Sequence, residues 1–290
     1  MRAVRADQGR GKLLPARSLR RRMLVSCVIP VRDRAGMVCE AIDSVYMQQW
    51  PDLEVVVVDD GSIDDTALVV AERYPGARLL RLDGVGPGPA RNAGVEVAEG
   101  EVVMFLDSDD LWLPGHVSAL LAALDRGYEV AYGIARTVDQ LAGATFFIPE
   151  PGEGREGEVL TDLLRWCFLV PSALAVSRKG FLACGGFRSH DFGEDWSFLL
   201  QLAARYPFAF AGEEPVTERR LHPGSICARA GRATIQAFLA RLQKELQAEK
   251  WSRPEMIQRF SAMEQWVTRK NDNWATVQEW YLAMREEGMV

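Results

Sequence analysis

The sequence predicts an α/β fold: a mainly parallel sheet flanked by helices, with a helical appendage at the C-terminal end. Three observations predict it. Short apolar runs alternate with helix-patterned segments over the first half of the chain, two of those runs stop abruptly in carboxylates, and strand signals cease after about residue 229. Residues 25–31 form a first strand, interrupted near its end by Pro30, and 35–49 place Val38, Ala41, Ile42 and Val45 at helical spacing. Residues 53–58 give a second strand, 65–74 a helix closed by Pro75-Gly76, and 77–82 a third strand. Residues 102–106 are apolar throughout, with β-branched Val102 and Val103 and aromatic Phe105, as suits a covered strand, and the helix after Pro114 turns Leu120, Leu121 and Leu124 inward. Short connections between alternating strands and helices imply right-handed βαβ units.

The loop Asp83-Gly84-Val85-Gly86-Pro87-Gly88-Pro89 follows a strand and precedes a helix, as a dinucleotide fingerprint would. Its spacing fails, because Pro89 or Arg91 stands where the last glycine is required, and an NAD or FAD site is discounted. The helix expected over 89–98 carries Arg91 and Asn92 near its start, where a cation and an amide meet a phosphate or ribose; a solvated helix end is the alternative. Gly61 and Gly94 are expected at backbone turns. Residues 149–158, rich in Pro, Gly and charge, read as an exposed loop between two halves of the domain.

After residue 229 three amphipathic helices are expected, the second opened by a capping box at Ser252-Arg253-Pro254-Glu255. Their aromatics Trp251, Trp266, Trp274, Trp280 and Tyr281 join Phe238, Leu242, Phe260, Met263, Val277 and Met284 as packing against the main domain. A homodimer contact or a membrane surface is the alternative use of such a stripe.

At 290 residues, 48% of them hydrophobic, the chain buries one substantial core plus an appendage. The division read from the sequence is a basic extension at 1–22, a main domain at 23–228 split near residue 140, and the helices of 229–290. Eight Arg or Lys against one Asp in the first 22 residues give that extension plus seven, within a chain of net charge −6. It lacks the apolar stretch of a secretory signal and the aromatic interleaving of a nucleic-acid platform, leaving peripheral contact with anionic lipid as its functional alternative to disorder. No apolar run is long enough to cross a membrane. Cys27, Cys39, Cys167, Cys184 and Cys227 are scattered, with no Cys-x-x-Cys pair, and read as reduced thiols of a cytoplasmic protein.

The strand over 102–106 ends in Asp107-Ser108-Asp109-Asp110, and the strand over 53–58 ends in Asp59-Asp60-Gly61-Ser62. Carboxylates so close repel unless a cation or donors compensate, and hard oxygen ligands suit Mg²⁺ or Mn²⁺. Capping of the next helix explains one such end; two of them point to a shared polar crevice, since ligands of open α/β sheets gather at the carboxyl ends of strands.

Taken in order, Pro-Val-Arg-Asp (30–33), Val-Asp-Asp-Gly-Ser (58–62), Ala-Arg-Asn-Ala-Gly (90–94), Leu-Asp-Ser-Asp-Asp (106–110), Gly-Gly-Phe (185–187), Glu-Asp-Trp (194–196) and His-Pro-Gly-Ser (222–225) resemble the family 2 glycosyltransferases. The resemblance covers about residues 23–228 and implies a GT-A fold, a Rossmann-like sheet joined to a smaller acceptor-binding part. It implies a nucleoside-diphosphate sugar donor, most commonly of UDP, and a hydroxyl acceptor on a saccharide, a lipid-linked carrier or a natural product. On that likeness Asp60 meets the base, with Pro30, Arg32 and Asp33 around it; Asp107 meets the ribose beside Ser108; and Arg91 and Asn92 face the phosphates. Asp109, with Asp107, ligates the metal, Asp110 supports it, and His222 is a further metal or diphosphate contact. Asp195, next to Glu194, is the base that deprotonates the acceptor, giving inversion at the anomeric carbon. A helix N-cap is the plain alternative for Asp195. Arg32 departs from the family, which often places an aromatic there; a guanidinium also stacks on a base, but discriminates little among bases. His116 and His190 are expected to be surface or hydrogen-bonded residues.

Two other functions compete. A sugar nucleotidyltransferase also uses Asp and Mg²⁺ on an α/β sheet, but the first strand lacks a glycine-rich triphosphate loop. A silent nucleotide-sugar binder acting through its helical tail is opposed by the intact Asp107, Asp109, Asp195 and His222.

Overall fold

A computed structural model describes residues 23–188, 192–270 and 277–287. The basic extension 1–22, His190, Trp274 and the side chains of Val277 and Tyr281 lie outside the described residues. The chain runs β1 (Val25–Val31), α1 (Ala35–Tyr46), β2 (Leu53–Asp60), α2 (Thr66–Arg73), β3 (Arg78–Leu82), α3 (Pro87–Val97), β4 (Val102–Phe105), β5 (Leu111–Trp112) and α4 (His116–Leu124). It continues through β6 (Val130–Asp139), β7 (Ala144–Ile148), α5 (Leu160–Leu163), β8 (Leu174–Ser177), α6 (Arg178–Cys184), α7 (Glu194–Ala203) and β9 (Phe208–Leu221). Four helices follow: α8 (Ile226–Arg229), α9 (Arg232–Ala248), α10 (Pro254–Arg269) and α11 (Val277–Glu286).

These strands form one sheet in the order β3-β2-β1-β4-β8-β6-β9-β5, with β7 paired to β6. The βαβ half, β3-β2-β1-β4, is parallel throughout. In the second half β8 runs antiparallel to both β4 and β6, whereas β6 and β9 are parallel. The change of direction lies where the sequence loses its strand–helix alternation.

The apolar runs are continuous because both faces are covered. Val28, Val56, Val58, Val103 and Phe105 face one helical layer, and Cys27, Ile29, Val55, Val57 and Met104 face the other. Gly94 lies inside α3, not at a turn: a Cβ there would stand 2.4 Å from Val28 Cγ1, so its missing side chain lets α3 press onto β1. Gly61, at φ +75, does serve a turn. α1 stops at Tyr46, three residues short of the expected end, and the chain turns at Gln49 with φ +51 before Pro51.

The C-terminal helices join the main core. Ile235, Phe238 and Leu242 of α9, Phe260 and Met263 of α10, and Trp280 and Met284 of α11 pack in the same cluster as Phe105 and Phe198. The expected capping box is not formed: Arg253 is the N-cap of α10, no side chain caps it, and the Ser252 hydroxyl has no partner among the described residues. Among the described residues no helix is long and apolar enough to cross a membrane. All five cysteines are free thiols.

Candidate active site

A cavity of about 1110 Å³ opens at the carboxyl ends of β1, β2 and β4, where an α/β sheet places its ligands. Pro30, Arg32, Asp33, Asp60, Arg91, Asp107, Ser108, Asp109, Glu194, Asp195 and His222 all line it. The antiparallel pairing of β5 with β9, Leu111 opposite Glu218, carries the 107–110 loop to the end of β9 and so to His222. Asp109 Oδ2 and His222 Nε2 stand 3.1 Å apart, although 113 residues separate them in the chain.

The tautomer of His222 follows from its other nitrogen. The backbone N–H of Gly224 donates to Nδ1 at 3.1 Å, which leaves the proton of the neutral ring on Nε2. In this arrangement His222 is a donor to Asp109. A metal-ligating imidazole usually has its second nitrogen donating, not accepting, so the ligand role expected of His222 conflicts with its wiring, and a diphosphate contact suits it better.

Asp109 Oδ2 is also 3.1 Å from Arg34 Nη1, whose guanidinium donates to Ser108 Oγ at 3.3 Å. Asp110 is buried one layer behind. It accepts from Ser172 Oγ at 2.6 Å and from the Arg220 amide at 2.9 Å. Burial first, and then the negative charges of Asp109 and Asp107, push its carboxyl up to about 8. Accumulated negative charge of this sort is what a divalent cation relieves. Among the described residues no three His, Cys, Asp or Glu side chains converge on one metal position. A hard cation of the Mg²⁺ type commonly takes only one or two carboxylates and completes its shell with substrate phosphates and water. The donor set at Asp109 and Asp107 therefore fits Mg²⁺ or Mn²⁺ bound together with a diphosphate.

Arg91 joins the two halves of the site. Projecting from α3 and 3% exposed, it contacts Glu194 Oε1 at 2.8 Å and Asp107 Oδ1 at 2.5 Å, and its guanidinium lies 5.0 Å from the Phe187 ring centre. Burial opposes its charge, but Asp107 and Glu194 overcome that and hold its pKa above the usual arginine value. Asn92, expected at a phosphate or ribose, does not line the cavity. Its amide nitrogen donates to Phe187 O and its amide oxygen accepts from Phe187 N, both at 2.8 Å, clamping the Gly-Gly-Phe segment to α3.

Asp60 lies at the cavity with both carboxylate oxygens engaged, accepting from the amides of Val85 at 2.7 Å and Gly86 at 2.8 Å. It thereby shapes the glycine-rich loop. Asp33 Oδ1 likewise accepts from the Ile63 amide at 2.7 Å, fixing one rim, while Arg32 is largely exposed.

α7 begins at Glu194, so Glu194 and Asp195 occupy its first turn. Asp195 Oδ1 accepts from the Trp196 amide at 2.7 Å, and no other hydrogen bond reaches its carboxylate from the described residues. Burial foremost, and then the charge of Glu194, raise its carboxyl to about 7; Trp196 and Arg91 oppose the rise. Gly193, at φ +76, is the N-cap, and a Cβ there would stand 2.3 Å from Phe238 Cδ2. The C-terminal helix α9 thus presses on the residue that sets the start of α7. Gly193→Ala is expected to destabilise the protein by about 1–3 kcal/mol, because a Cβ there meets both the positive φ and this collision; the urea denaturation midpoint checks it.

Arg34, Arg219 and Arg220 also line the cavity, and Ser172 supports it from behind, beyond the candidates the sequence marks. Arg34 and Arg220 adjoin recognisable segments, whereas Ser172 has no local signal and is found only because it bridges Asp107 N, at 3.1 Å, and Asp110. His116 is fully buried, bound through Nδ1 to Val216 O at 3.0 Å, and held down to about 3 by burial. It is a core residue.

Residues 26–161 match the profile of Glycosyl transferase family 2. An uncharacterized glycosyltransferase of Nostoc sp. is 31% identical over 169 residues, covering 54% of this chain and 52% of its own. The chain spans about half the length of that curated relative. Among solved structures, S. aureus TarS 1–349 in complex with UDP-GlcNAc aligns with TM-score 0.67 and 20% identity, covering 84% of this chain and 72% of that one. The mannosyltransferase PcManGT of Pyrobaculum calidifontis, in complex with GDP-Man and Mn²⁺, aligns with TM-score 0.57 and 21% identity, covering 92% and 75%. The mixed sheet between helical layers is the GT-A fold of these neighbours, and the stretch of this chain that matches family 2 of the glycosyltransferases is residues 26–161.

Proposed function

We propose that the protein is a metal-dependent, inverting glycosyltransferase that moves a sugar from a nucleoside-diphosphate donor, with UDP as the leading nucleotide, to an acceptor hydroxyl. The observation that carries this reading is the single cavity faced by Asp60, Asp107, Asp109 and Asp195. Asp195 in it titrates at about 7, near the working pH where a general base is most effective.

Asp195 takes the proton of the acceptor hydroxyl as that oxygen attacks the anomeric carbon and the bond to the diphosphate breaks. One base suffices when attack comes from the face opposite the leaving group, and no sugar–enzyme bond forms. Arg91 fixes Glu194 and Asp107 relative to one another, so base and donor positions are set together. Asp109 with Asp107 would hold Mn²⁺ or Mg²⁺, which would supply positive charge against the diphosphate. Arg34 and the Nε2–H of His222 add donors beside Asp109. That neighbours of this fold were solved with UDP-GlcNAc, or with GDP-Man and Mn²⁺, supports donor class and metal. Five free thiols fit a cytoplasmic location. The C-terminal helices bury apolar side chains in the chain's own core, which favours packing over a homodimer contact as their role.

Calorimetry with UDP in Mn²⁺ and in EDTA, on wild type and Asp109→Asn, tests the site. UDP should bind at least tenfold tighter with metal, and Asp109→Asn should remove that gain. Equal metal dependence in the variant rejects Asp109 as ligand.

A further inference from the structure

The two carboxylates placed to hold a cation are each already met by an arginine. Asp107 Oδ1 lies 2.5 Å from Arg91 Nη2, and Asp109 Oδ2 lies 3.1 Å from Arg34 Nη1. The same Asp109 oxygen stands 3.1 Å from His222 Nε2, so it has two donors before any ligand arrives. A positive charge on a carboxylate disfavours a second cation there, because like charges a few ångströms apart repel.

The two arginines differ in what holds them. The Arg91 side chain is 4% exposed, sits between Asp107 and Glu194 and lies against the Phe187 ring. Its departure would strand the buried Glu194 carboxylate. Arg34 is 23% exposed, and beyond Asp109 its guanidinium has only neutral acceptors among the described residues, Ser108 Oγ and Gly224 O, each at 3.3 Å. Gly224 O keeps a second donor in Arg229 Nη2, at 3.3 Å. The root of Arg34 is anchored, since its amide donates to Thr66 Oγ1 at 3.0 Å. Its side chain can therefore leave Asp109 without unmaking the loop, whereas Arg91 cannot leave Asp107 so cheaply. Arg34 lines the same cavity as Asp107 and Asp109, where a diphosphate offers a guanidinium a bidentate partner.

We propose that Arg34 is the internal counter-ion of the cation seat. In the metal-free protein it neutralises Asp109 and disfavours a divalent cation arriving alone; with the donor bound, its guanidinium turns to the diphosphate and frees the carboxylate. Cation and nucleotide then enter together, not singly. The proposal rests on the transferase reading above and adds how ligand entry to that site is regulated.

The test is a titration of the full chain with Mn²⁺ alone, free Mn²⁺ being read by electron paramagnetic resonance, beside calorimetry with UDP in saturating Mn²⁺. Arg34→Gln should bind Mn²⁺ alone at least about tenfold tighter than wild type, since one unit charge next to a divalent ion is removed, yet should bind UDP with Mn²⁺ more weakly. A residue that only braced the loop would weaken both. Arg34→Met should behave like Arg34→Gln, and Arg34→Lys, which keeps the charge, should stay within about threefold of wild type for Mn²⁺ alone. Adding Asp109→Asn to Arg34→Gln should abolish the gain, which locates it at this carboxylate. Mn²⁺ affinity that is unchanged or lower in both charge-removing variants, or a gain that survives Asp109→Asn, overturns the proposal. Wild type that binds UDP equally in Mn²⁺ and in EDTA overturns the metal-assisted reading instead, and the two failures are told apart because the titration with Mn²⁺ alone contains no nucleotide.

Discussion

Asp195→Asn should lower turnover of a nucleotide-sugar donor by about 10²–10⁴-fold, the range ascribed to one positioned general base, with UDP affinity unchanged within about threefold. The pH dependence separates this role from helix capping. Asp195 titrates at about 7 because burial and Glu194 disfavour its ionised form, so kcat/KM of wild type should rise through pH 7 to a plateau, and this limb should vanish in the variant. Stability moves the other way. A carboxyl with a raised folded-state pKa contributes stability that is complete below its unfolded value, about 3.9, and is lost as pH rises through 7. Asp195→Asn should therefore match wild type near pH 4 and exceed it above pH 7 by an amount on the order of a few kcal/mol. A side chain that only capped α7 would leave the variant less stable, with turnover little changed.

Arg91→Met should destabilise the protein by about 3–5 kcal/mol, the cost of breaking a buried ion pair by removing one partner. Arg91 is 3% exposed and Glu194 8%, so the Glu194 carboxylate loses its compensating charge where water reaches it poorly, while Asp107, 31% exposed, is better solvated. Arg91→Lys should not restore the loss, because one ammonium does not reproduce contacts from Nη1 to Glu194 and Nη2 to Asp107 while stacking on Phe187. Urea denaturation reads this as a lower midpoint at unchanged slope. Because Arg91 also lowers the pKa of Asp195, surviving activity should have its alkaline plateau displaced upward.

The parallel half of the fold was legible because each of its elements is local. Apolar runs gave β1 to β4, helical spacing with Pro and Gly punctuation gave α1 to α3 within a few residues at each end, and Pro114 marked the approach to α4. Carboxylates at two strand ends located the crevice. The mixed half was less legible, since the reversal at β8 and the parallel pairing of β6 with β9 are long-range choices that no local period records. The same limit separates Asp109 from Ser172 at the site. Asp109 announces itself by stopping an apolar run, whereas Ser172 is an ordinary serine until the fold carries it to Asp110. Asn92 misled for a related reason: an amide near a helix start suits a phosphate as well as a backbone clamp, and only the position of Phe187 decides. Phe238, Phe260, Trp280 and Met284 of the tail pack in the core as their helical spacing suggests, but the pressure of Phe238 on Gly193 and the place of Trp280 at the cavity are set by the fold.

The central claim, a metal-assisted nucleotide site at the ends of β1, β2 and β4, is tested most directly by one anomalous difference map from crystals soaked in Mn²⁺ and UDP. A manganese peak at the Asp109 carboxylate, with nucleotide density reaching from there toward Asp60, is the predicted result. UDP bound elsewhere, or a manganese peak away from Asp107 and Asp109, would contradict the account.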